Sequence, residues 1–543
     1  REHIELEDIL NKFIFSEKII KGFLCENIDL NSESFPNFLI KNNIKCLVSS
    51  KLSAVQFSSR HMLQTVMHLN SLPFPNISLY VPAIVPMNVP LLAYLGVDLF
   101  DTTACNIASQ KGIYFLRNHS IYFDEIKEYP CLCLACQNQS DENWLREHNV
   151  NMMALRIQET RSAIIRGTLR ELLRESAAQL PLVAEILRLI DKNHSSQLLV
   201  RTPINRKIQL ICTNETDFIR PEVQNFRIRV KERYSPPNIT ELIIILPCSS
   251  KKPYSKSSSH LAFRRAIKEG LKGRRNFITE VIVTSPLGIV PRELEGVYPA
   301  SHYDIPVTGD WNELERNRVM EDLHSYLHKF DSKTPILVHL SEPERSIVLE
   351  SLNGFQWDGE IVFTQITGSP KTFESLISLK SKLQEILKGI PISKVRTISP
   401  QIKAFRAMAD YLLGKKAGEV LFPEETVIKG KPEIMQRVFL EKKQLASYSR
   451  SKGSLSLNLA GAERIAHLQV PKVIFDGDTI TGGSVFGPGL KDIVTPIQPG
   501  DSVIVLSSEG KIIGVGEAMI SSFTMKKRQK GVAIKIRQKK REK

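Results

Sequence analysis

The sequence predicts an α/β protein of several domains, with a mostly parallel sheet between helices at its centre and a small β-barrel near its end. Three observations carry that expectation. The chain has 543 residues, too many for one hydrophobic core and enough for roughly three to four domains. Between about residues 239 and 396, short apolar β-branched runs alternate with stretches of helical periodicity, the pattern of right-handed crossovers in a parallel sheet. From about residue 469 the apolar runs become short and closely spaced by turn signals such as Asp476-Gly-Asp478, Pro499-Gly-Asp501 and Ser508-Glu-Gly-Lys511, as in a small barrel.

Composition narrows the function classes. There are 73 Lys and Arg against 58 Asp and Glu, a net charge of +15 and a pI near 9.3. A surplus of that size points to a polyanionic partner, of which nucleic acid is the commonest for a soluble chain. No apolar run approaches the ~18 residues that cross a bilayer, and the opening Arg1-Glu-His-Ile-Glu has no signal-peptide core. The expectation is a cytoplasmic protein, with a short segment preceding Arg1 because the sequence opens without Met. Of eight cysteines, at 25, 46, 105, 131, 133, 136, 212 and 248, three fall within six residues. That clustering suits a metal site in a reducing compartment better than a disulfide framework.

Residues 1–195 mix short strands, expected at 77–81 and 113–116, with amphipathic helices. A helix is expected at 89–95, another at 162–175 with Ile164, Ile165, Leu169, Leu172 and Leu173 on one face, and a third behind Pro181. Cys131, Cys133 and Cys136 on a tight loop, followed by His148 on a helix, form a three-cysteine, one-histidine set suited to tetrahedral zinc. Four protein ligands leave no open position, so a zinc there is expected to be structural. Gly96-Val-Asp-Leu-Phe-Asp101, Cys-x-Cys-x₂-Cys at 131–136 and Glu147-His-Asn149 together resemble the archaeal tRNA-guanine transglycosylases. The resemblance implies a truncated, degenerate relative of their TIM barrel, with Asp101 at the nucleophile's place and the four zinc ligands as named. It departs from the family in lacking an Asp-Ser-Gly triplet, in having Val81-Pro-Ala-Ile-Val-Pro-Met-Asn88 for the base-recognition loop, and in length. Base exchange is therefore expected to be lost, with Asp101 keeping a local hydrogen-bonding role.

Residues 196–238 read as a polar, Arg-rich linker closing on Tyr234-Ser-Pro-Pro-Asn238. In the 239–396 domain, strands are expected at 241–246, 277–283, 336–340 and 360–363, and helices at 259–271, 312–329, 343–352 and 372–388. Residues 397–468 read as a small α+β domain, with a helix at 400–413 and a strand meander over 438–459. Residues 469–543 resemble the PUA domain, an RNA-binding module. The last 18 residues hold ten Lys or Arg, and Lys526, Lys527, Arg528, Lys530, Lys535 and Arg537 are expected to meet tRNA phosphates.

The chemistry is expected in Pro247-Cys-Ser-Ser-Lys-Lys-Pro-Tyr-Ser-Lys-Ser-Ser-Ser-His260, a loop between a buried strand and a helix start. In open α/β sheets ligands bind outside the carboxyl ends of the strands. Cys248 is a candidate nucleophile, its thiol expected to be acidified by Lys251, Lys252 and Lys256. His260 is a candidate acid or base, Lys252 and Tyr254 candidate proton donors, and Ser249, Ser250 and Ser257 donors to a substrate. A second cluster, Thr284 to Pro291 and Tyr298 to Trp311, adds His302, Tyr303, Asp304 and Asp310 as a site wall.

The pattern Pro-Cys-x₃-Lys-Pro-Tyr-x₂-Ser-x₂-His, carried by Pro247, Cys248, Lys252, Pro253, Tyr254, Ser257 and His260, is similar to the signature of the archaeosine synthases, paralogues of the archaeal transglycosylases. The resemblance implies a substrate tRNA carrying 7-cyano-7-deazaguanine at position 15 in its D-arm, and addition of an amine to the nitrile. Free lysine is the implied donor, with glutamine or ammonium as alternatives, and a radical SAM lyase the implied partner in completing archaeosine. A homodimer is expected, as among transglycosylases. Cys248 is expected to form a thioimidate, with His260 or Asp304 deprotonating the amine and Lys252 or Tyr254 protonating the nitrile nitrogen. Direct amine addition, an active transglycosylase and a noncatalytic tRNA-binding scaffold remain the alternatives.

Overall fold

The computed structural model describes residues 22–24, 39, 41–42, 44–71 and 77–540, apart from 194, 272, 307–308, 391–397 and 528–530. The chain divides into two compact units at Ile190/Asp191. In the first, β1 (Gly22–Leu24), β2 (Cys46–Val48) and β3 (Ser78–Tyr80) form a parallel sheet in that order, with Leu99 bridging Tyr80 beside it. Helix α1 (Ser59–Ser71) lies between β2 and β3, and α2 (Val89–Leu95) and α3 (Thr103–Gln110) follow β3. A hairpin of β4 (Ile113–Phe115) and β5 (Ser120–Tyr122) follows, then α4 (Trp144–Arg166), α5 (Leu169–Ala177) and α6 (Pro181–Asn193). Among the described residues these strands do not close a barrel, so the degenerate TIM barrel is not seen. The single helix expected over 162–175 is two, because Gly167 adopts φ 72° at the end of α4, a left-handed stop that glycine tolerates and a side chain resists.

In the second unit the stretch read as a linker is part of the main core. β6 (Leu210–Ile211) pairs in parallel with β10 (Tyr303–Asp304), and α7 (Pro221–Arg233) buries Val223, Phe226 and Val230. Arginines disguised this stripe: Arg220 is buried against Glu222 at 3.0 Å, and Arg227 pairs with Asp322 at 2.6 Å.

The central sheet consists of β7 (Leu242–Pro247), β8 (Ile278–Thr284), β9 (Gly288–Pro291), β11 (Ile336–Val338) and β12 (Ile361–Phe363), in the order β12-β11-β7-β8-β9. All neighbours are parallel except β9, which turns back antiparallel to β8; its residues had read as loop. The run 242–246 is buried on both faces. Leu242, Ile244 and Leu246 pack with Phe263 and Ile267 of α8 (Ser258–Gly270) and Leu379 and Leu383 of α11 (Phe373–Lys388). Ile243 and Ile245 face the larger core, with α7, α9 (Glu313–Leu327) and α10 (Glu344–Asn353). Two-sided burial is why β7 reads as continuous apolar residues rather than alternation.

Beyond it lie α12 (Pro400–Leu413), α13 (Ala417–Leu421) and an antiparallel sheet β13 (Val427–Lys431), β14 (Met435–Leu440), β15 (Lys443–Ser449), β16 (Ser454–Leu457), then α14 (Leu459–Ile465). The C-terminal sheet runs β18 (Ser484–Phe486), β22 (Val532–Lys539), β21 (Ile512–Ala518), β20 (Ser502–Leu506), β17 (Lys472–Phe475), β19 (Leu490–Ile493). It encloses its own core, including Val473, Val485, Val503 and Ile534.

Candidate active site and metal cluster

β7 ends at Pro247, which lies opposite Val283 of β8, so Cys248 and Thr284 emerge side by side at the carboxyl edge of the sheet. Thr284 neighbours the Cys248 thiol and lowers its pKa; its hydroxyl donates to the Ser285 carbonyl at 3.2 Å and lies 2.5 Å from the Tyr303 hydroxyl. That hydroxyl lies 2.5 Å from the hydroxyl of Tyr254. Tyr254, Thr284 and Tyr303 are buried, and the Lys252 ammonium sits 4.0 Å above the Tyr303 ring centre. Three linked hydroxyls thus run from the buried tyrosines to Thr284, beside the half-buried thiol.

The electrostatics correct one expectation. Burial pushes the Cys248 thiol up, and Thr284 and the charge of Lys252 only partly oppose it, while Glu344 adds to the rise. Lysines near a thiol do favour the thiolate, but desolvation wins here. Lys256 faces Glu433 instead, at 3.8 Å. Burial also pulls the Lys252 amine down, against Cys248, Asp304 and Cys212, which brings amine and thiol closer in proton affinity. Burial drives both tyrosine hydroxyls up, so they remain protonated donors.

His260 and Ser257 hold the loop. The Ser257 Oγ accepts from His260 N at 3.2 Å and caps α8. His260 Nε2 donates to the Pro247 carbonyl at 3.0 Å, and its Nδ1 accepts from Arg292 Nη2 at 2.7 Å. Arg292 is fixed by Glu280 at 2.8 Å and Glu295 at 3.0 Å, and Glu295 also accepts from Ser255 N at 2.9 Å. Burial and then the neighbouring guanidinium push the imidazole down to about 3. With both nitrogens engaged and the ring neutral, the acid or base role expected of His260 is not supported. It orients the carbonyl that precedes Cys248.

A measurable pH dependence follows. A histidine held neutral in the fold and protonated near pH 6.5 when unfolded gives an unfolded state that binds more protons between about 6.5 and about 3. Stability is full above that window and falls as the pH drops through it. Buried His339, down to about 4, adds to the loss. Urea unfolding at pH 7 and pH 5 is expected to show the higher midpoint at pH 7.

The other expected residues divide. Asp304 is exposed and acts electrostatically on Lys252. Ser249 is spent on the Lys251 carbonyl at 3.1 Å, Ser250 is exposed, and Pro253 is buried. His302 turns to Ser301 at 2.5 Å and to Arg450 and Ser451, so the structure records no contact between it and Cys248. Three residues were missed, Arg292, Cys212 and Glu344, while Thr284, expected as the start of the site wall, stands beside Cys248. Glu344 opens α10 beyond β11 and bonds the Trp311 side chain, and burial raises its carboxyl.

In the first unit, one ligand atom each from Cys131, Cys133, Cys136 and His148 lie within 4.8 Å of one another. His148 Nδ1 is 3.2 Å from Cys136 Sγ and 3.6 Å from Cys133 Sγ. Its Nε2 donates to the Phe115 carbonyl at 2.8 Å, and Tyr114 stacks on the ring at 3.8 Å. A fixed tautomer presenting Nδ1 to three thiols is the arrangement a metal-ligating histidine requires. The donor set fits a metal ion.

Asp101 is tied on both oxygens. Oδ2 accepts from Tyr80 at 2.6 Å and the Thr103 hydroxyl at 2.9 Å; Oδ1 accepts from Ala83 N at 2.9 Å and Thr103 N at 3.0 Å. Asp101→Ala is expected to cost about 1 kcal/mol or more of stability, checked by urea unfolding.

Of the stretch read as a basic tail, Val532–Lys539 is a strand, β22, paired with β18 and β21. Lys526 and Lys535 are exposed, and Arg537 pairs with Glu517 at 2.6 Å. Arg528, Lys530 and the Lys527 side chain lie outside the described residues. No helix among the described residues is long and apolar enough to cross a membrane.

Family models match four segments: queuine tRNA-ribosyltransferase over 29–182, a domain of unknown function, DUF5591, over 223–383, the patch-forming domain C2 of tRNA-guanine transglycosylase over 403–471, and PUA over 478–540. The archaeosine synthase subunit alpha of Methanosarcina acetivorans is 35% identical over 88% of this chain and 77% of its own length. That of Thermococcus kodakarensis is 33% identical over 86% and 75%. The chain belongs to the archaeosine synthase family. The tRNA-guanine(15) transglycosylase of Methanobrevibacter smithii is 26% identical over 83% of this chain and 65% of its own. The Cys248 loop falls in the DUF5591 match and the metal cluster in the ribosyltransferase match, so an archaeosine synthase of this kind keeps its two sites in different segments.

Proposed function

We propose that the chain is a tRNA-modifying enzyme of archaeosine biosynthesis that adds an amine, free lysine first among donors, to the nitrile of 7-cyano-7-deazaguanine in tRNA. The observation that carries this reading is the Thr284–Tyr303–Tyr254 hydroxyl chain beside Cys248 and Lys252, at the carboxyl edge of a parallel sheet, in a member of the archaeosine synthase family.

The chemistry balances on these groups. The Cys248 sulfur bonds to the nitrile carbon, one C≡N π bond opens, and the thiol proton reaches the nitrile nitrogen through Lys252, giving a thioimidate. The amine nitrogen attacks the same carbon, the C–S bond breaks, and an amine proton returns to sulfur. The net result is addition of N–H across the nitrile, an amidine. Glu344, its carboxyl raised by burial, takes the proton of the incoming ammonium. Thr284, held by the two tyrosines, orients the thiol, and Asp304 keeps Lys252 charged in the resting site.

The metal of the first unit is proposed to be zinc with a structural role, and Asp101, consumed by four hydrogen bonds, supports the absence of base exchange. Pro247, Ser250 and Tyr303 are proposed to frame the substrate, and a radical SAM lyase to take the product.

Nitrile-bearing tRNA incubated separately with lysine, glutamine and ammonium, digested and weighed, tests the donor. Lysine is expected to add its full mass to the modified nucleoside. A gain of ammonia alone would replace lysine as donor, and no gain with any of the three would remove the proposed activity.

A further inference from the structure

We infer that the exposed face of the β13–β14 hairpin docks the RNA substrate beside the Cys248 loop. The register sets the face. Val427, Lys429 and Lys431 stand opposite Phe439, Arg437 and Met435, and successive strand residues alternate sides, so these six share one surface. The other surface, with Ile428, Gln436 and Val438, packs inward.

That surface is unusual in two ways. It carries three cations and no carboxylate. It also exposes Val427 at 50% and Met435 at 42%, with Ile434 in the turn at 66%. The Lys429 ammonium lies 5.5 Å from the centre of the half-buried Phe439 ring. A shallow groove of about 340 Å³ runs along these side chains.

Cations interleaved with an aromatic and apolar side chains on a sheet face are what single-stranded RNA recognition uses, phosphates meeting the cations and splayed bases the apolar surface. Lys429 and Lys431, two residues apart, are separated by about 7 Å along the strand, a step comparable with that between successive phosphates of an extended RNA strand.

Position strengthens the case. Glu433, in the turn of this hairpin, pairs with Lys256 of the motif loop at 3.8 Å. In β15 of the same sheet, the Tyr448 hydroxyl donates to the Gly296 carbonyl at 2.7 Å, and the charge of Arg450, which follows that strand, acts on His302. RNA seated on the face therefore lies alongside the loop that bears Cys248. The inference rests on the reading above that the substrate is tRNA.

The test compares the full-length chain with Lys429→Gln/Lys431→Gln/Arg437→Gln, measuring tRNA binding by anisotropy over a range of salt and turnover over a range of tRNA. The three exposed substitutions are expected to flatten the slope of log affinity against log salt by about 2 to 3 and to weaken binding at least about tenfold near 0.1 M salt. KM for tRNA rises and kcat at saturation stays. Phe439→Leu is expected to weaken binding without changing the slope, because stacking releases no counterions. An unchanged slope and KM in the triple variant, with the unaltered chain binding and modifying tRNA, overturns the inference and leaves the proposed function standing. So does loss of binding to anionic lipid vesicles with tRNA binding intact. An unaltered chain that neither binds nor modifies tRNA overturns both.

Discussion

Cys248→Ala is expected to lower turnover on nitrile-bearing tRNA by at least about 10³-fold, roughly 4 kcal/mol of barrier, while leaving tRNA affinity within about twofold, since binding draws on phosphate contacts that the thiol does not make. The size follows from removing the atom that forms and breaks a bond rather than one that orients it. Cys248→Ser is expected to recover little, because a hydroxyl in the same buried position is far harder to ionise than a thiol. The pH dependence gives a second readout. Burial raises the thiol above its ordinary value, so the thiolate fraction and the rate of adduct formation increase with pH through neutrality. Lys252→Met removes the charge that opposes that rise, so its rate limb moves to higher pH. Near-normal turnover in Cys248→Ala would exclude a covalent step and leave direct amine addition.

Removing the metal is expected to unfold the first unit's hairpin and metal loop while sparing the central sheet. The buried residues around the cluster are few, Tyr114, Cys136 and Leu145, with Tyr129 and Trp144 packed on them, and a core of that size does not hold a fold by itself. Structural zinc sites of this donor set contribute on the order of 10 kcal/mol to folding at neutral pH. Chelation, or Cys136→Ser, is expected to shrink the calorimetric transition of the first unit and to leave the transition of the second unit in place. Metal analysis of the purified chain is expected to give one equivalent of zinc. A full-size first transition in metal-free protein would show that the four side chains only pack.

What could be read from the sequence follows the range over which each signal acts. The run Leu242–Leu246 and the polar loop behind it are local, and both are where the sequence indicates. The metal cluster is nearly local, since Cys-x-Cys-x₂-Cys fixes three donors and one following helix supplies the fourth. Roles inside the loop were harder. Residue type suggests that His260 is an acid or base, but whether its nitrogens are free depends on Arg292, 32 residues on. Ser257 looks like a substrate donor and serves as a helix cap, a use that the Ser-x-x-His spacing allowed. Thr284 and Glu344 reach Cys248 only because β8 and β11 flank β7, a fact of pairing order.

Charge misled in two places for one reason. The arginines in α7 and at its N-cap suggested a solvated linker, yet Arg220 and Arg227 are tied to carboxylates within the fold. The cations of β22 suggested a tail, yet Ala533 and Ile534 carry that strand into the barrel core. Composition registers charge without registering what neutralises it, and the few apolar positions between the charges decided both segments.

The central claim is that the Cys248 loop, and not the transglycosylase-like unit, carries the chemistry. One mixture tests it most directly: the full-length chain with lysine, tRNA bearing 7-cyano-7-deazaguanine, unmodified tRNA and isotopically labelled free deazaguanine base. The account predicts that the nitrile-bearing nucleoside gains the mass of lysine and that no label enters the unmodified tRNA. Label in the unmodified tRNA with no mass gain on the nitrile-bearing one would contradict it.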